Sequence, residues 1–202
     1  MRRTGEPAAR GLFANQGYAG TTLDAIAQAA GVAVQTVYAA FGSKRGILAE
    51  LLRQAQQAPA AEELRARLRV TEDPAQRIRL AVAIARRVYD QISAGLERRL
   101  GAGTVAPELA AVEGEIEERR RAGTSLLVDY VVSRDQLRSG LAPAAAADLL
   151  WAIAGPDLYW KLVIEQGWSG DAYEALLGDA LVAALMAPSE PLGTQAGHRT
   201  DA

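Results

Sequence analysis

From Leu12 to Leu52 the apolar residues recur at helical intervals, and glycines interrupt the recurrence. Leu12-Phe13 followed by Gly17-Tyr18 predicts a helix with a buried apolar pair, ended by glycine. Ile26 and Ala30 lie four apart and share one face of a short second helix. Ala27 is small where two helices have to cross closely. Gly31 stands where the chain must leave that helix, and glycine adopts the left-handed conformation without steric cost. Val32, Val37 and Phe41 then give an apolar face to a third helix, leaving Gln35, Thr36 and Tyr38 to point elsewhere. The spacing fits a helix-turn-helix, in which the second helix of the pair lies in a DNA major groove.

The flanks agree with this reading. Thr21 and Thr22 precede the second helix, and either hydroxyl can cap it. With Thr21 as cap, Asp24 sits near the positive helix end. Ser43 is an N-cap for a helix from Lys44 to Ala55, which carries Ile47, Leu48, Leu51 and Leu52 at helical spacing. Pro7 suits a first helical turn, so the first helix is expected to begin there and to be short.

Beyond residue 55 the pattern stays helical. After Pro59 and Asp73-Pro74, residues Ile78, Val82, Ala85, Tyr89 and Ile92 form one apolar face. Gly101-Ala-Gly103-Thr-Val-Ala106 resembles a dinucleotide fingerprint in spacing. No strand precedes it, so a loop between helices is expected. A long helix is predicted from Pro107 to about Val132. Its first half, with Glu113, Glu115, Glu117, Glu118 and Arg119 to Arg121, reads as a solvated face. Its second half, with Leu126, Leu127, Tyr130 and Val131, reads as core. A helix from Pro143 to about Gln166 should kink or split at Gly155-Pro156. Asp171 to Met186 carries a stripe of Tyr173, Leu176, Leu177, Ala180, Leu181, Ala184 and Leu185, wider than one buried face requires. After Pro188 the composition is that of a disordered tail.

Composition narrows the function. The chain has 202 residues, half of them hydrophobic, and no cysteine. That excludes disulfides and thiol chemistry and fits a cytoplasmic protein. No apolar run approaches the roughly 20 residues that span a bilayer, so no membrane partner is expected. Met1-Arg2-Arg3 is not followed by the apolar core of a signal peptide. The sole histidine, His198, lies in the tail, so no imidazole is placed for nucleophilic catalysis. No Cys/His cluster suggests a metal and no phosphate loop appears. An enzyme is not expected, nor is a cofactor. Residues 1–53 hold six Lys/Arg against three acids, a net charge of +3, while the remainder carries −5. A positive head on a negative body suits phosphate binding by the head.

The motif Leu12-Phe13-x(3)-Gly17-Tyr18-x(2)-Thr21-Thr22-x(3)-Ile26-Ala27-x(2)-Ala30-Gly31-Val32-x(3)-Thr36-Val37-Tyr38-x(2)-Phe41-x-Ser43-Lys44 resembles the DNA-binding domain of the tetracycline-repressor (TetR) family. The likeness covers about residues 8 to 53. The rest of the chain is similar to the family in length, helical character and layout. The resemblance implies an all-α fold. A three-helix DNA-binding domain with a helix-turn-helix would occupy residues 1–53, and a larger helical ligand-binding and dimerisation domain residues 54–187. The tail would be 188–202. It implies that Thr22, Tyr38 and Lys44 touch DNA phosphates, and that Gln35 and Thr36, with Val34 beside them, reach base edges. Glutamine carries the donor and acceptor needed to read adenine.

The sequence departs from the family pattern in three places. Ala33 replaces the usual serine cap of the recognition helix, which forfeits ~1 kcal/mol. Ala39 and Ala40 stand where a further DNA contact is common. Gly5, Glu6 and Pro7 interrupt the first helix.

The implied partners are double-stranded DNA, a small-molecule effector and a second copy of the chain. The homodimer would pair through an intermolecular four-helix bundle, with Leu158, Leu162, Tyr173, Leu177, Leu181 and Leu185 as interface residues. Its recognition helices would then meet half-sites ~34–36 Å apart. Arg86, Tyr89, Tyr130, Trp151, Asp157 and Tyr159, with Trp160 nearby, are the candidate effector-binding residues, because they put polar groups on apolar walls. Trp168 reads as a core or interface plug. The function expected is a ligand-responsive transcriptional regulator, a repressor in sign. The alternative is a helical dimeric ligand-binding or interaction protein whose DNA binding is weakened or lost.

Overall fold

The structure, a computed structural model, describes residues 2–92 and 107–187. The Gly101–Ala106 segment, the tail and His198 lie outside the described residues. The described chain is helical throughout, apart from an isolated antiparallel bridge between Leu137 and Met186. Three helices and the start of a fourth form the head: α1 (Arg2–Gly20), α2 (Leu23–Ala30), α3 (Val34–Phe41) and α4 (Lys44–Gln56). The body comprises α5 (Pro59–Val70), α6 (Pro74–Gln91), α7 (Pro107–Ser133), α8 (Pro143–Ile153), the short α9 (Pro156–Tyr159) and α10 (Gly170–Leu185). None of these helices is long and apolar enough to cross a membrane.

The first helix differs from the sequence expectation. It does not begin at Pro7 but at Arg2, with Pro7 inside it. Pro7 removes only the backbone bond to the carbonyl four residues back. The extension lays the backbone at Gly5 against the ring of Phe41 at the end of α3. Gly17, at φ 72°, then kinks α1 where the glycine was expected to end it. Of the two threonines that follow, Thr22 is the cap of α2, its Oγ1 accepting from the Ala25 N–H at 3.1 Å. Thr21 is fully buried and donates its hydroxyl to the Gly17 carbonyl at 2.8 Å.

Two apolar cores result. In the head, Ala9 and Phe13 of α1 meet Ile26 and Ala27 of α2, Val37 of α3 and Ile47, Leu48, Leu51 and Leu52 of α4. In the body, Ile78 and Val82 of α6, Leu127, Val128 and Val131 of α7, Leu150 of α8 and the buried stripe of α10 pack together. One expectation for α7 fails: Leu126 is 71% exposed, because only the Leu127–Val128–Val131 edge of the helix turns inward. The break at Gly155-Pro156 appears as expected. Proline lacks the N–H that would continue α8, and α9 then runs into a wider π-helical turn over Trp160–Glu165. Backbone bonds from Arg138 N–H to the Leu185 carbonyl and from Ala187 N–H to the Gln136 carbonyl tie the end of α10 to the turn before α8.

Candidate nucleic-acid interface and body cavity

The corner between α2 and α3 is set by Gly31. Its backbone is left-handed (φ 66°, ψ 31°), and its N–H reaches the Gln28 carbonyl at 3.1 Å while the Val32 N–H reaches the Ala27 carbonyl at 3.0 Å. This pairing satisfies the last carbonyls of α2 and turns the chain at once. Ala27 is buried at the crossing, and Val37 pins α3 onto the head core. Pinning that face leaves Gln35, Tyr38 and Ala39 on the exposed side of α3, with Val34 and Thr36 half-exposed beside them. Tyr38 is 54% exposed. Ala33 makes no side-chain cap, so the start of α3 rests on backbone geometry alone.

Thr22 and Lys44 flank this face with different chemistry. Thr22 is exposed, and its oxygen accepts from α2 while its hydroxyl proton can still be donated. Lys44 is more committed. Its Nζ donates to the Tyr18 and Thr21 carbonyls, each at 2.8 Å, and lies 4.4 Å from the centre of the Tyr18 ring. Burial lowers the pKa of this ammonium from its ordinary value. Two of its three N–H donors therefore clamp the end of α1 to the start of α4. Lys44→Met should cost the head about 2 kcal/mol, the size of hydrogen bonds to a charged group. A thermal melt that leaves the head of the variant as stable as the parent would refute the clamp.

The body holds a cavity of about 340 Å³ among α4, α5, α6, α7 and α8. Ile84, Ala85 and Val88 of α6, Leu127 of α7 and Leu150 of α8 supply its apolar walls. Arg65, Arg119, Arg120, Gln56 and Thr124 supply its polar groups, together with Tyr89.

Of the six effector residues expected from the sequence, the structure brings only Tyr89 to this cavity, and the Tyr89 hydroxyl donates to the Ala154 carbonyl at 2.9 Å. Arg86 faces α10 instead, in ion pairs with Asp90 at 3.0 Å, Asp171 at 3.4 Å and Glu174 at 3.6 Å. Desolvation raises the pKa of Glu174 there, and Arg86 opposes the rise. Tyr159 joins the same cluster by donating to Asp90 at 2.6 Å. Asp157 is exposed in the first turn of α9. Tyr130 lies on the outer surface, donating to the Glu72 carbonyl at 2.9 Å, with the Arg77 guanidinium 3.6 Å above its ring. Trp151 donates to Glu117 and carries the Arg121 guanidinium 3.8 Å above its ring. Trp160 donates to Glu165 at 2.9 Å. Arg119 and Arg120 were read in the sequence as part of a solvated run, and Arg65 was not singled out. Nothing in a Glu/Arg-rich stretch marks which arginine rims a cavity.

The expected dimer residues need a larger correction. Tyr173, Leu177, Leu181 and Leu185 are buried inside the protomer, where they pack against the body core. Burial pushes the Tyr173 hydroxyl up to about 12, against the pull of Arg120, and that hydroxyl has no hydrogen-bond partner among the described residues. Leu158 and Leu162 are half-buried against the same core. The four side chains of α10 are already covered, and the six together do not form an outward face. The exposed stripe of α10 is Ala172, Leu176, Ala180 and Ala183, and that of α8 is Ala145, Leu149 and Ala152. Trp168, 38% exposed, is not a core plug.

A positioned recognition helix on a compact head, joined to a separately packed helical body with a cavity, defines a two-part helix-turn-helix protein. Residues 7–51 match the family model described as bacterial regulatory proteins, tetR family. No curated protein matches the chain by sequence.

Solved structures share the fold along nearly the whole length. The transcriptional regulator FadR from Bacillus subtilis, in complex with stearoyl-CoA, superposes with a TM-score of 0.72 at 18% identity, over 91% of this chain and 99% of that one. NalD of Pseudomonas aeruginosa, the secondary repressor of the MexAB-OprM multidrug efflux pump, gives 0.71 at 22% identity, over 92% and 95%. The ketosteroid transcriptional regulator KstR2 of Mycobacterium tuberculosis gives 0.61 at 16% identity, over 93% and 95%.

Proposed function

We propose that the protein is a ligand-responsive transcriptional repressor that acts in the cytoplasm. It holds a palindromic operator as a homodimer and releases it when a small molecule fills the body cavity. Residues 1–53 serve as the DNA-reading domain and 54–187 as the effector and dimer domain. The observation that carries this reading is the course of α4. Leu51 and Leu52 of α4 belong to the head core, Ala55 belongs to the body core, and Gln56 lines the cavity. One unbroken helix thus touches both functional regions, and a ligand that displaces its end re-aims the head.

Arg10 adds a second link, donating from α1 to the Gln91 carbonyl at the end of α6. Coupling of this kind is typically 1–3 kcal/mol, and it acts equally on ligand and DNA affinity. Regulators that share the fold include a repressor and a stearoyl-CoA complex, in keeping with both halves of the reading.

The DNA half is tested by retention of genomic fragments at low and moderate salt. One fragment should be held selectively, with affinity falling steeply as salt rises, because released counterions supply much of the binding. Gln35→Ala should relax base preference at one position of each half-site by about 1–3 kcal/mol, while Tyr38→Phe weakens all sequences alike. Unchanged preference in the Gln35 variant would remove glutamine from base reading. Retention of no fragment would instead favour an interaction protein that has lost its DNA partner, the reading suggested by Ala33 and Ala39.

A further inference from the structure

We infer that the cavity takes an amphiphile with a single negatively charged head group and a medium-length apolar tail. The inference rests on the cavity being the effector site and adds its ligand chemistry. The walls contributed by α6, α7 and α8 are aliphatic, which favours a hydrocarbon tail over a polar ring system. Among the described residues, the charged ones that line the cavity are all arginines, and no Asp or Glu is with them.

The three arginines are not equivalent. Arg65 keeps Glu62 at 3.5 Å, and Arg120 keeps Glu117 at 2.7 Å while also donating to the Trp151 carbonyl at 2.8 Å. Arg119 makes no ion pair among the described residues. It is exposed at the rim, one residue before Arg120 on α7. Glu62 also pairs with Arg69 at 3.2 Å, so among the described residues the rim keeps an excess of positive charge beside an apolar hollow, with Arg119 its unpaired member. A carboxylate or phosphate answers it with a paired, charge-assisted contact, and a guanidinium favours both oxyanions through its planar fork. A cationic ligand would be repelled by Arg119, and a neutral one would gain no charge-assisted contact from it. Thr124 and Gln56 can then orient the head group without adding charge.

The test is titration calorimetry on the full chain, with decanoate, decyl phosphate, methyl decanoate and decylamine, each below its micelle concentration. Decanoate or decyl phosphate should bind, and their ranking assigns carboxylate or phosphate as the head group. Arg119→Ala should weaken the anions at least tenfold and leave methyl decanoate unchanged. Arg119 makes no ion pair among the described residues, so the variant should melt with the parent. Arg65→Ala, at a second rim position, gives an independent reading with a smaller loss of the same sign. Shortening the acid to octanoate should cost about fourfold per methylene removed.

The inference is overturned if the ester or the amine binds the parent as tightly as the anions. It is overturned equally if no probe binds, or if Arg119→Ala leaves anion affinity unchanged. Failure of the effector reading looks different. Decanoate would then bind through Arg119 without loosening the protein from its DNA. A neutral compound that releases the DNA through this cavity would do the reverse, keeping the regulator and removing the anion.

Discussion

Leu176→Asp should convert the protein to a monomer and weaken operator binding by at least about a hundredfold, the scale on which two linked contacts exceed one. Leu176 is 52% exposed on α10, in a stripe otherwise made of alanines, and Leu149 occupies the corresponding place on α8. The two helices pack against each other within the protomer, so the stripes form one shallow apolar surface. Alanines let a second pair of helices approach closely, and each leucine supplies a knob for the partner's surface. An isologous twofold contact uses that surface twice, so one substitution buries two unpaired carboxylates. Light scattering after gel filtration reads the mass, and a mobility shift on the operator reads the affinity. Leu149→Asp should repeat the result. Dimers that persist in both variants would move the interface to another face. The head should melt unchanged in either case, since neither residue belongs to its core.

Gly46→Ala should cost the head about 3 kcal/mol and abolish sequence-specific binding with it. A Cβ at this position would fall 2.0 Å from the Phe41 carbonyl oxygen and 3.1 Å from its carbon. Both are backbone atoms at the end of α3, so no side-chain rotation relieves the overlap. The chain must instead push the start of α4 away from the recognition helix. That shift also strains the Ser43 cap, whose Oγ accepts from the Gly46 N–H at 3.1 Å. Chemical denaturation followed by circular dichroism gives the stability change, and the operator mobility shift gives the functional one. A stable, fully active alanine variant would show that α3 and α4 are less tightly fixed than their packing requires.

Gly46 also marks a limit of reading from sequence. Gly31 was legible because a glycine after an apolar helical pair announces a left-handed exit, and the backbone there is left-handed. Gly46 sits inside a helix, where the sequence offers no reason for glycine. Its role arises from the tight link between α3 and α4, which folds the Phe41 carbonyl over the first turn of α4. Lys44 was legible as a charged residue near the recognition helix. That two of its donors clamp carbonyls at the end of α1 and in the link after it was not, because the partners lie more than twenty positions away. Pro7 misled because a first-turn preference is local, whereas the contact that carries α1 back to Arg2 is made by Gly5 with Phe41.

The last helix shows the same division. Its apolar stripe is too wide for one face, and the helix carries one buried and one exposed apolar stripe. The choice between faces then went to the bulkier residues, and the bulkier residues line the protomer core. Tyr173, Leu177, Leu181 and Leu185 fill deep volume between α6 and α8, while the shallower outer face needs only alanine and one leucine. The effector residues were misplaced for a related reason. Arg86 and Tyr159 read as polar groups on apolar walls, yet their partners are Asp90 and the acids of α10. Isolated polarity along a helix cannot say whether a side chain faces a ligand or an oppositely charged neighbour.

By itself the sequence determined the helical class, the head from its glycine-cornered spacing, the exposed Gln35 and Tyr38, and the break at Pro156. Each of these depends on interactions within a few residues: helical periodicity, capping, and the conformational limits of glycine and proline. Tertiary structure alone decided which face of α10 is covered, which arginines rim the cavity, and how α4 joins the two cores. Those features depend on volumes and charges contributed by segments far apart in the chain, and their distances exist only once the helices have packed.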